Sequence, residues 1–561
     1  MRMRLVIALS ASLAGCGASE IDSGDSGGYS VDAGGRADAP PIGCLSSNEC
    51  SVGYVCNDFG RCELPPSGGD AGVPPPPPEV EYEFGAPISS DRYIYVAMTA
   101  QDELARIDGD TLAVTSTGVG KSPRVVHAIP NSDGAVVLDS FNGTATIVRP
   151  NGASDTVRVL ATLKNLNRLD VDPSGRYAVI WFDLTKQIMD GGIGGVGSFQ
   201  DVTVVALAPG VERAVDLTVG FRPREVQFDA AGTRAYVVTQ DGVSVIDLGF
   251  ATTHGPSIVP PIPVSDPAFP PESVEVKIVA TGTYAAVRQV GDPTLRIVDV
   301  GGPQLGQSWS IPLGSPATDI DLSPDGRRVY AMQREAKRLS VVDVPGDAFT
   351  PSGVETVNLA TAAVGSFVLS KDGRRALLFT NATVDERISM IKLDEPGYPH
   401  VTWPLKKSVR AVAISPTATS AIIINSKLPG TPSASSTVDE YIDRSYGYTL
   451  LDLATGFGKL QITPVDPGSF TYAPDGSKAY VALDGGDAVT ATRALQVVTT
   501  QTGVVITKQL GSPPSEVGIL PGAGEAFTAQ RHPLGRVTFV DLTTDAVRTI
   551  TGFDLNSNIV N

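Results

Sequence analysis

From about residue 85 onward, short runs of alternating apolar and polar residues are separated by turn sequences. Alternation with a period of two is typical of half-buried strands, and Pro-Asp-Gly favours tight turns. Each copy predicts a short apolar strand, a turn, an alternating strand, a variable loop, a Val/Ile-rich third strand and a fourth strand that ends near a glycine. The clearest copies are IDLSPDGRRVYAMQREAKRLSVVDV (320–344), VQFDAAGTRAYVVTQDGVSVIDL (226–248) and SFTYAPDGSKAYVALDGGDAVTATRALQVV (469–498).

The copies form a series of ten units. A period of about 40 to 50 residues with four strands per unit is typical of propeller blades. The phrases RRVYAMQ, TRAYVVTQ and SKAYVAL resemble YVTN-type β-propeller repeats. The resemblance implies an all-β fold and leaves the activity open, since propellers serve many functions. The units start near residues 91, 126, 169, 226, 273, 320, 367, 412, 470 and 517.

The two ends of the repeat region predict how the units close into a ring. The first unit begins at its second strand, and the last residues, GFDLNSNIVN (552–561), align with GFRPREVQF (220–228), which leads into an innermost strand. We therefore expect the C-terminal strand to complete the first blade and close one large ring. Two smaller rings are the alternative, but they need an unusual join near 314–320, where the spacing continues unchanged.

The N-terminus has the pattern of an export signal. A positively charged start and a short apolar run precede Leu-Ala-Gly-Cys at residues 13–16. This sequence resembles the bacterial lipobox, which implies a signal peptide over 1–15, lipid on the sulfur of Cys16 and anchorage in the cell envelope. Gly17, rather than an aspartate, implies the outer membrane. An ordinary signal peptide with an incidental cysteine is the alternative.

Composition predicts four further segments after the signal peptide. Residues 16–43 are rich in Gly, Ser, Asp and Ala, which predicts a lipidated, disordered tether. Residues 44–63 form a small cysteine-rich module, and 64–84 are a Pro/Gly-rich linker that includes five consecutive prolines. The propeller then occupies 85–561.

The four cysteines of the module are evenly spaced. An even, clustered set in an exported chain predicts two disulfides, with three possible connectivities. Zinc is the alternative, although the knuckle spacing is missing. The spacing resembles the first cysteine-rich segment of Dickkopf-type proteins, which leaves the module as either a spacer or a protein-binding element. The cysteines are Cys44, Cys50, Cys56 and Cys62.

Charge and composition exclude several function classes. The formal net charge of −18 disfavours nucleic acid as a partner. Histidine and tryptophan are scarce, and no motif for a nucleophile, a phosphate loop or a bound haem occurs. We therefore predict no catalytic residues, no metal site and no cofactor. The histidines, which fall in different units, are His127, His254, His400 and His532.

Long connections between second and third strands occur at 184–199, 427–447 and 484–493, in units three, eight and nine. They lie on one face of a propeller, and binding residues concentrate on loops that a rigid scaffold holds. The second insertion has the most aromatic and charged residues, although a solvated loop is the alternative. The candidate ligand-binding residues are Asp439, Glu440, Tyr441, Asp443, Arg444 and Tyr446.

Two pairs of acids flank innermost strands: Asp170 with Asp172, and Asp319 with Asp321. We expect them to cap the following turns. The alternative resemblance is to lactonase propellers, which bind a cation in the channel. The leading hypothesis is therefore a membrane-anchored, non-catalytic binding scaffold for a protein or glycan; a channel-cation-dependent hydrolase and a structural surface spacer are the alternatives.

Overall fold

The computed structural model describes residues 55–56, 62–63, 88–99, 101–189, 197–265, 270–484, 492–532, 534–553 and 559–560. The chain divides into two compact units. The smaller includes an antiparallel pair, β1 (Val55–Cys56) and β2 (Cys62–Glu63), whose register places Cys56 opposite Cys62. Residues 1–54, and with them the predicted signal peptide, the predicted tether, Cys16, Cys44 and Cys50, lie outside the described residues, as does the whole predicted linker, 64–84.

The larger unit contains ten sheets, which follow one another along the chain as the repeats predict. Blades one to three are β3 (Tyr93–Met98), β4 (Glu103–Asp108) and β5 (Val114–Gly118); β6 (Val125–Ala128), β7 (Ala135–Asp139), β8 (Thr144–Asn151) and β9 (Ser154–Ala161); and β10 (Arg168–Val171), β11 (Tyr177–Trp181), helix α1 (Leu184–Met189), β12 (Asp201–Ala206) and β13 (Arg213–Thr218). Blades four and five are β14 (Glu225–Phe228), β15 (Arg234–Thr239) and β16 (Gly242–Asp247), followed by helix α2 (Leu248–His254) and β17 (Ser257–Ile258); and β18 (Val274–Ile278), β19 (Tyr284–Gln289), β20 (Thr294–Asp299) and β21 (Ser308–Pro312).

The second half of the ring has the same organisation. Blades six and seven are β22 (Asp319–Leu322), β23 (Arg328–Gln333), β24 (Arg338–Asp343), helix α3 (Gly346–Phe349) and β25 (Glu355–Asn358); and β26 (Ser366–Leu369), β27 (Arg375–Phe379), β28 (Arg387–Lys392) and β29 (His400–Pro404). Blades eight to ten are β30 (Val409–Ile414), β31 (Ser420–Asn425), helix α4 (Val438–Asp443), β32 (Tyr446–Asp452) and β33 (Gly458–Thr463); β34 (Pro467–Tyr472), β35 (Lys478–Asp484), β36 (Arg493–Thr499) and β37 (Val505–Gln509); and β38 (Pro514–Leu520), β39 (Glu525–Gln530), β40 (Arg536–Asp541), β41 (Val547–Thr551) and β42 (Ile559–Val560). Two short 3₁₀ helices span Pro271–Ser273 and Pro351–Gly353.

The sheets stack in a single ring. Ten clusters of buried apolar side chains each join two consecutive sheets, and one of them joins the first sheet to the last. In that closing cluster, Ile94 and Ile107 of blade one pack with Phe527 and Phe539 of blade ten. Each sheet thus buries both faces against its neighbours, which is the main source of stability in such a fold. The prediction of one ten-bladed propeller is confirmed, and the alternative of two smaller rings is wrong.

The prediction for the C-terminal strand is wrong. β42 pairs with β41 in the last blade, with Ile550 opposite Val560, instead of completing the first blade. The inner edge of β3 is instead met by the residues just before it: Ser89 bridges Ile94, and the Tyr95 N–H donates to the Ile88 carbonyl at 3.0 Å. A turn-back over so few residues costs far less closure entropy than returning the other end of the chain.

Blade four departs from the four-stranded pattern. After β16 the chain forms α2, which Asp247 caps by accepting a hydrogen bond from the Phe250 N–H at 2.8 Å. β17 then pairs in parallel with β13, so that blade three has five strands and blade four has three. Ile262 makes an isolated bridge to Val243. Residues 260, 261 and 263 are prolines, which lack the N–H groups that a regular strand needs.

Candidate functional site

The insertion-bearing face contains two ordered helices. The connection between β11 and β12 includes α1, and the connection between β31 and β32 includes α4. Both join second to third strands, so they lie at the same end of the ring, as the repeat pattern predicts. Most of the third insertion, at 484–493, lies outside the described residues.

Helix α4 has a complete N-terminal cap. The Glu440 N–H donates to the Thr437 hydroxyl at 3.2 Å, and the Thr437 N–H donates to the Glu440 carboxylate at 3.0 Å. This reciprocal pair is a capping box, which satisfies two backbone donors that the helix cannot pair internally. Asp439 also lies in the first turn, where negative charge is favoured.

The other end of α4 is fastened to the propeller by a buried lysine. Lys407, only 1% exposed, donates from Nζ to the carbonyl oxygens of Ile442 (2.6 Å) and Asp443 (3.0 Å). Burial lowers the pKa of Lys407, against the opposing effect of the Asp443 and Glu386 carboxylates. A cation at the C-terminus of a helix satisfies otherwise unpaired carbonyls and favours the helix dipole.

The structure places the six candidate residues of this insertion in one continuous segment, but several of them have structural roles. Glu440 caps α4 and lies 3.9 Å from Arg444, while Lys427 Nζ lies 5.1 Å from the centre of the Tyr446 ring. The Asp443 carbonyl accepts from Lys407 and from the Leu428 N–H. Among the six, Tyr441 has its aromatic ring on the outer surface.

Sequence reasoning missed the apolar side chains of this face. Val438 is 75% exposed and Tyr441 49%, and a spacing of three residues puts them on one side of α4. Leu428, in the same connection, and Val384, in the equivalent connection of blade seven, are also exposed. We call these four residues the insertion patch. The signal that could have found the two on α4 is the valine–tyrosine spacing after a capping threonine.

Of the four acids that flank innermost strands, Asp172 caps the following turn, as the sequence predicts. Its carboxylate accepts hydrogen bonds from the N–H groups of Ser174 (2.8 Å) and Arg176 (2.7 Å), and so caps the turn between β10 and β11. Asp170 instead accepts a 2.8 Å hydrogen bond from the buried Trp181 indole N–H. The capping prediction is therefore wrong for Asp170.

Asp319 also has a different role from the one predicted. Its carboxylate accepts from the Ser366 hydroxyl at 2.5 Å and from the Phe367 N–H at 3.1 Å, both on the innermost strand of the next blade. Gln227 bridges blades four and five in the same way, by donating to the Val276 carbonyl and accepting from the Ile278 N–H. Asp319 and Gln227 thus provide hydrogen-bond partners for backbone groups of the neighbouring innermost strands. Asp321, the remaining member of the pair, accepts from the Leu322 N–H at 2.8 Å.

A polar cavity of about 280 Å³ lies at the inner ends of blades four to seven. Within it Glu275 lies 2.8 Å from Arg288 and 3.2 Å from Lys277. Burial acts to raise the pKa of Glu275, but the two cations outweigh it and hold that pKa below its usual range. The lining residues are Arg224, Glu225, Val238, Val274, Glu275, Val276, Arg288, Thr318, Asp319 and Ser366.

The described ranges contain neither a clustered metal site nor a membrane-spanning helix. No group of three or more histidine, cysteine, aspartate or glutamate side chains there is arranged to hold a metal ion. Among the helices that the structure describes, none combines the length and the apolar character that a membrane crossing requires.

No protein-family model and no curated protein matches the chain. Among solved structures it is similar to a eukaryotic initiation factor, with 11% identity over 75% of this chain and 96% of the other and a TM-score of 0.47. It is also similar to the dihydro-heme d1 dehydrogenase NirN, with 12% identity over 83% and 73% and a TM-score of 0.36. A third similarity is to the Cps50 (Swd1) beta-propeller domain from Myceliophteria thermophila, with 12% identity over 62% and 97% and a TM-score of 0.31. At these identities and TM-scores the similarities assign neither a family nor a function to this chain.

Proposed function

We propose that this chain is an exported lipoprotein, anchored in the outer membrane through lipid on Cys16, whose YVTN-type propeller is a non-catalytic scaffold for binding a protein partner. The lipobox-like sequence at 13–16 and the tether-like composition after it support the anchor. The composition of 16–43 and 64–84 favours a propeller held away from the membrane surface.

One observation carries the binding role: apolar side chains are held outward on a fixed helix of the insertion-bearing face. α4 is capped by Thr437 and fastened by Lys407, so that Val438 and Tyr441 are presented with little ordering entropy left to lose. Exposed apolar groups that a scaffold holds in place are typical of interaction surfaces. Aliphatic groups favour a protein over a glycan, because sugar hydroxyls would lose water against them without gaining hydrogen bonds.

The cysteine module is a spacer in this proposal. Residues directly opposite in an antiparallel pair have Cα atoms about 4.5–5.5 Å apart, which suits a disulfide. The register of β1 and β2 places Cys56 opposite Cys62, which favours a disulfide between these two cysteines.

Site-specific photo-crosslinking in the native cell envelope tests the binding role. A photoreactive residue at position 438 or 441 should give one discrete protein adduct. The matched control is position 457, because Phe457 is 69% exposed on the turn between β32 and β33, at the opposite end of the same blade. Equal adducts from both ends, or none from 438 and 441, would contradict the proposal, and an adduct of glycan alone would replace the protein partner with a glycan.

Metabolic labelling tests the anchor separately. Radioactive palmitate should label the wild-type chain and should not label Cys16→Ser, which keeps the rest of the leader. Labelling that persists in Cys16→Ser would exclude this anchor and would leave the crosslinking result standing.

A further inference from the structure

The outer rim of blade six contains a groove of about 660 Å³. One wall is β25, the outermost strand of that blade, and the other is the turn that leads into β29 of blade seven. Alternate residues of a strand point to opposite faces, so a groove lined by every residue of β25 runs along its edge. The lining residues are Glu355, Thr356, Val357, Asn358, Gly397, Tyr398, Pro399 and His400. None of them belongs to the insertion patch, so this inference goes beyond the proposed function and does not depend on it.

The backbone of β25 has open hydrogen-bonding groups along this edge. The Leu359 N–H donates to the Lys337 carbonyl, beside β24, at 2.8 Å. Because the backbone groups of alternate residues face opposite sides of a strand, those of Thr356 and Asn358 point away from β24. Within the described ranges, no strand pairs with this edge and no backbone hydrogen bond uses these groups. Thr356 and Asn358 are both exposed, so the groups are accessible to another chain.

Two other blades show that outer edges of this propeller accept a further strand. In blade three, β17 pairs in parallel with β13, and in blade ten, β42 pairs antiparallel with β41. Each added strand is a two-residue extended segment from outside the four-stranded repeat, and each makes a five-stranded sheet. The outer edge of a blade is therefore compatible with a fifth strand in either direction.

The sequence of β25 lacks the residues that protect neighbouring edges. Proline and lysine disfavour pairing at the edge of a sheet. The outermost strands of blades five and seven end in Pro312 and Pro404, and those of blades eight and nine contain Lys459 and Lys508. β25 is Glu-Thr-Val-Asn and contains neither residue type. This difference favours β25 as an edge that pairs.

The groove is held open by contacts between its two walls. The Tyr398 hydroxyl donates to the Glu355 carboxylate at 2.6 Å, which joins blade seven to blade six. The Thr402 hydroxyl donates to the Thr361 carbonyl of blade six at 3.2 Å. His400, two residues before Thr402 on β29, therefore also points towards blade six. An added strand would place alternate side chains against this preformed wall with little reorganisation.

We propose that β25 binds an extended peptide segment of a partner protein, which adds to blade six as a fifth strand. The main chain of the peptide pairs with the backbone groups of Thr356 and Asn358, and alternate side chains enter the groove. Recognition through the main chain tolerates many sequences but excludes proline at the paired positions. A second copy of this chain is a poorer occupant, because a net charge of −18 on each copy opposes association.

Selection of peptides on the detergent-solubilised full chain tests the proposal. Phage that display random twelve-residue peptides are first depleted on Thr356→Pro and then selected on the wild-type chain. Proline at this position removes an N–H that faces the open edge and leaves the bonds to β24 in place. Selected peptides, synthesised and measured by fluorescence anisotropy, should bind Thr356→Pro about tenfold more weakly or worse, because a peptide carbonyl loses its donor.

Two variants control for the side chain and for proline itself. Thr356→Ala keeps the N–H and should bind the selected peptides as the wild type does. Thr507→Pro is the matched control on β37 of blade nine, where the Leu510 N–H donates to the Arg493 carbonyl at 2.8 Å and so sets the Thr507 N–H outward. Its binding should be unchanged. Circular dichroism melting checks folding, and Asn358→Pro replaces Thr356→Pro if that variant fails to fold.

A scan of the peptide itself distinguishes strand pairing from other modes of binding. Methylation of one backbone nitrogen at a time should weaken binding to the wild-type chain about tenfold at every second position, since only alternate N–H groups face β25. A scan with no sensitive position, or with consecutive sensitive positions, would overturn the proposal. So would a selection that enriches no peptide, or a loss of binding in Thr356→Ala equal to that in Thr356→Pro. A dimer in sedimentation that Thr356→Pro abolishes would assign the edge to a second copy instead.

Discussion

At the scale of single residues, the glycine that follows Pro-Asp or a related pair in each repeat turn is needed for two reasons, its backbone conformation and its lack of a side chain. Gly326 has a φ of +67°, and a Cβ atom placed on it would lie 2.7 Å from the Ala280 backbone nitrogen of the preceding blade. This position therefore needs a residue that adopts a left-handed backbone conformation and has no Cβ atom that would clash with the preceding blade. Repeat eight has Ala418 at the equivalent position with a φ of +53°, so the backbone strain alone is tolerated.

Alanine substitutions at two glycines separate the cost of backbone strain from the cost of the steric clash. Gly152 has a φ of +65°, but a Cβ atom placed on it would meet nothing within 4 Å. We expect Gly152→Ala to cost about 1–2 kcal/mol from backbone strain, and Gly326→Ala to cost about 1–3 kcal/mol more because its methyl group must displace blade five. Urea unfolding of both variants measures the difference. Equal losses would mean that close approach contributes nothing.

At the scale of elements, one buried lysine turns a long insertion into a fixed one. Lys407 lies in the short connection between β29 and β30, and it holds the last carbonyls of α4 through Nζ. The sequence shows two adjacent lysines there, and only the tertiary structure distinguishes them: Lys406 is exposed and Lys407 is buried. An element whose own contacts are few depends on such single attachments.

Replacing Lys407 should release α4 while the propeller stays intact. In Lys407→Met the carbonyls of Ile442 and Asp443 lose their charged donor, a loss of about 1.5–3 kcal/mol. We expect hydrogen exchange of the α4 amides to accelerate about tenfold or more. Lys406→Met is the matched control and should leave exchange unchanged. Unchanged protection of α4 in Lys407→Met would show that the capping box alone holds it.

At the scale of the whole molecule, the ring is closed by contact between blades one and ten. Beside the apolar closing cluster, Arg548 of blade ten donates across the seam to the carbonyls of Gly109 (3.1 Å) and Asp110 (3.0 Å), and the Glu525 carboxylate of its own blade accepts from it at 2.6 Å. The Gly522 N–H adds a 2.8 Å bond to the Asp91 carbonyl. In the described part of the chain, closure thus rests on packing and these bonds, so this seam is where we expect the ring to open first.

A methyl group placed in the seam should loosen the ring. A Cβ atom on Gly109 would lie 2.6 Å from Leu520 Cδ1 and 2.8 Å from Ala523 Cβ, across the seam, whereas one on Gly118 meets nothing within 4 Å. We expect Gly109→Ala to lower stability by about 1–3 kcal/mol and to raise hydrogen exchange first in blades one and ten. Gly118→Ala, in the same blade, is the control. Uniform exchange around the ring would contradict a weak seam.

The candidate site was predictable only in part. The insertion at 427–447 and its position in blade eight follow from the repeat spacing, because a break in a regular pattern is visible in sequence. The roles of individual residues do not follow from it. Glu440, a predicted ligand-binding group, also caps a helix, and Asp319, predicted as a turn cap, instead holds the next blade. The partners of Asp319 lie in the next blade, where spacing within one repeat does not reveal them, whereas the Thr437–Glu440 spacing is itself the sequence signature of a capping box.

The sequence by itself determined the sheets, their order and the turns between them, because each repeat encodes its own strand alternation and its own glycine. It also determined that the units stack, since a four-stranded repeat of this length can cover its apolar positions only against neighbouring repeats. Only the tertiary structure decided which chain end completes which blade, how blade four gives its outer strand to blade three, and which charges meet in the inner cavity. The exchanged strand and the inner cavity depend on contacts between residues about forty or more positions apart, and the chain ends depend on a competition between a short turn-back and a distant pairing. The pattern within one repeat decides neither.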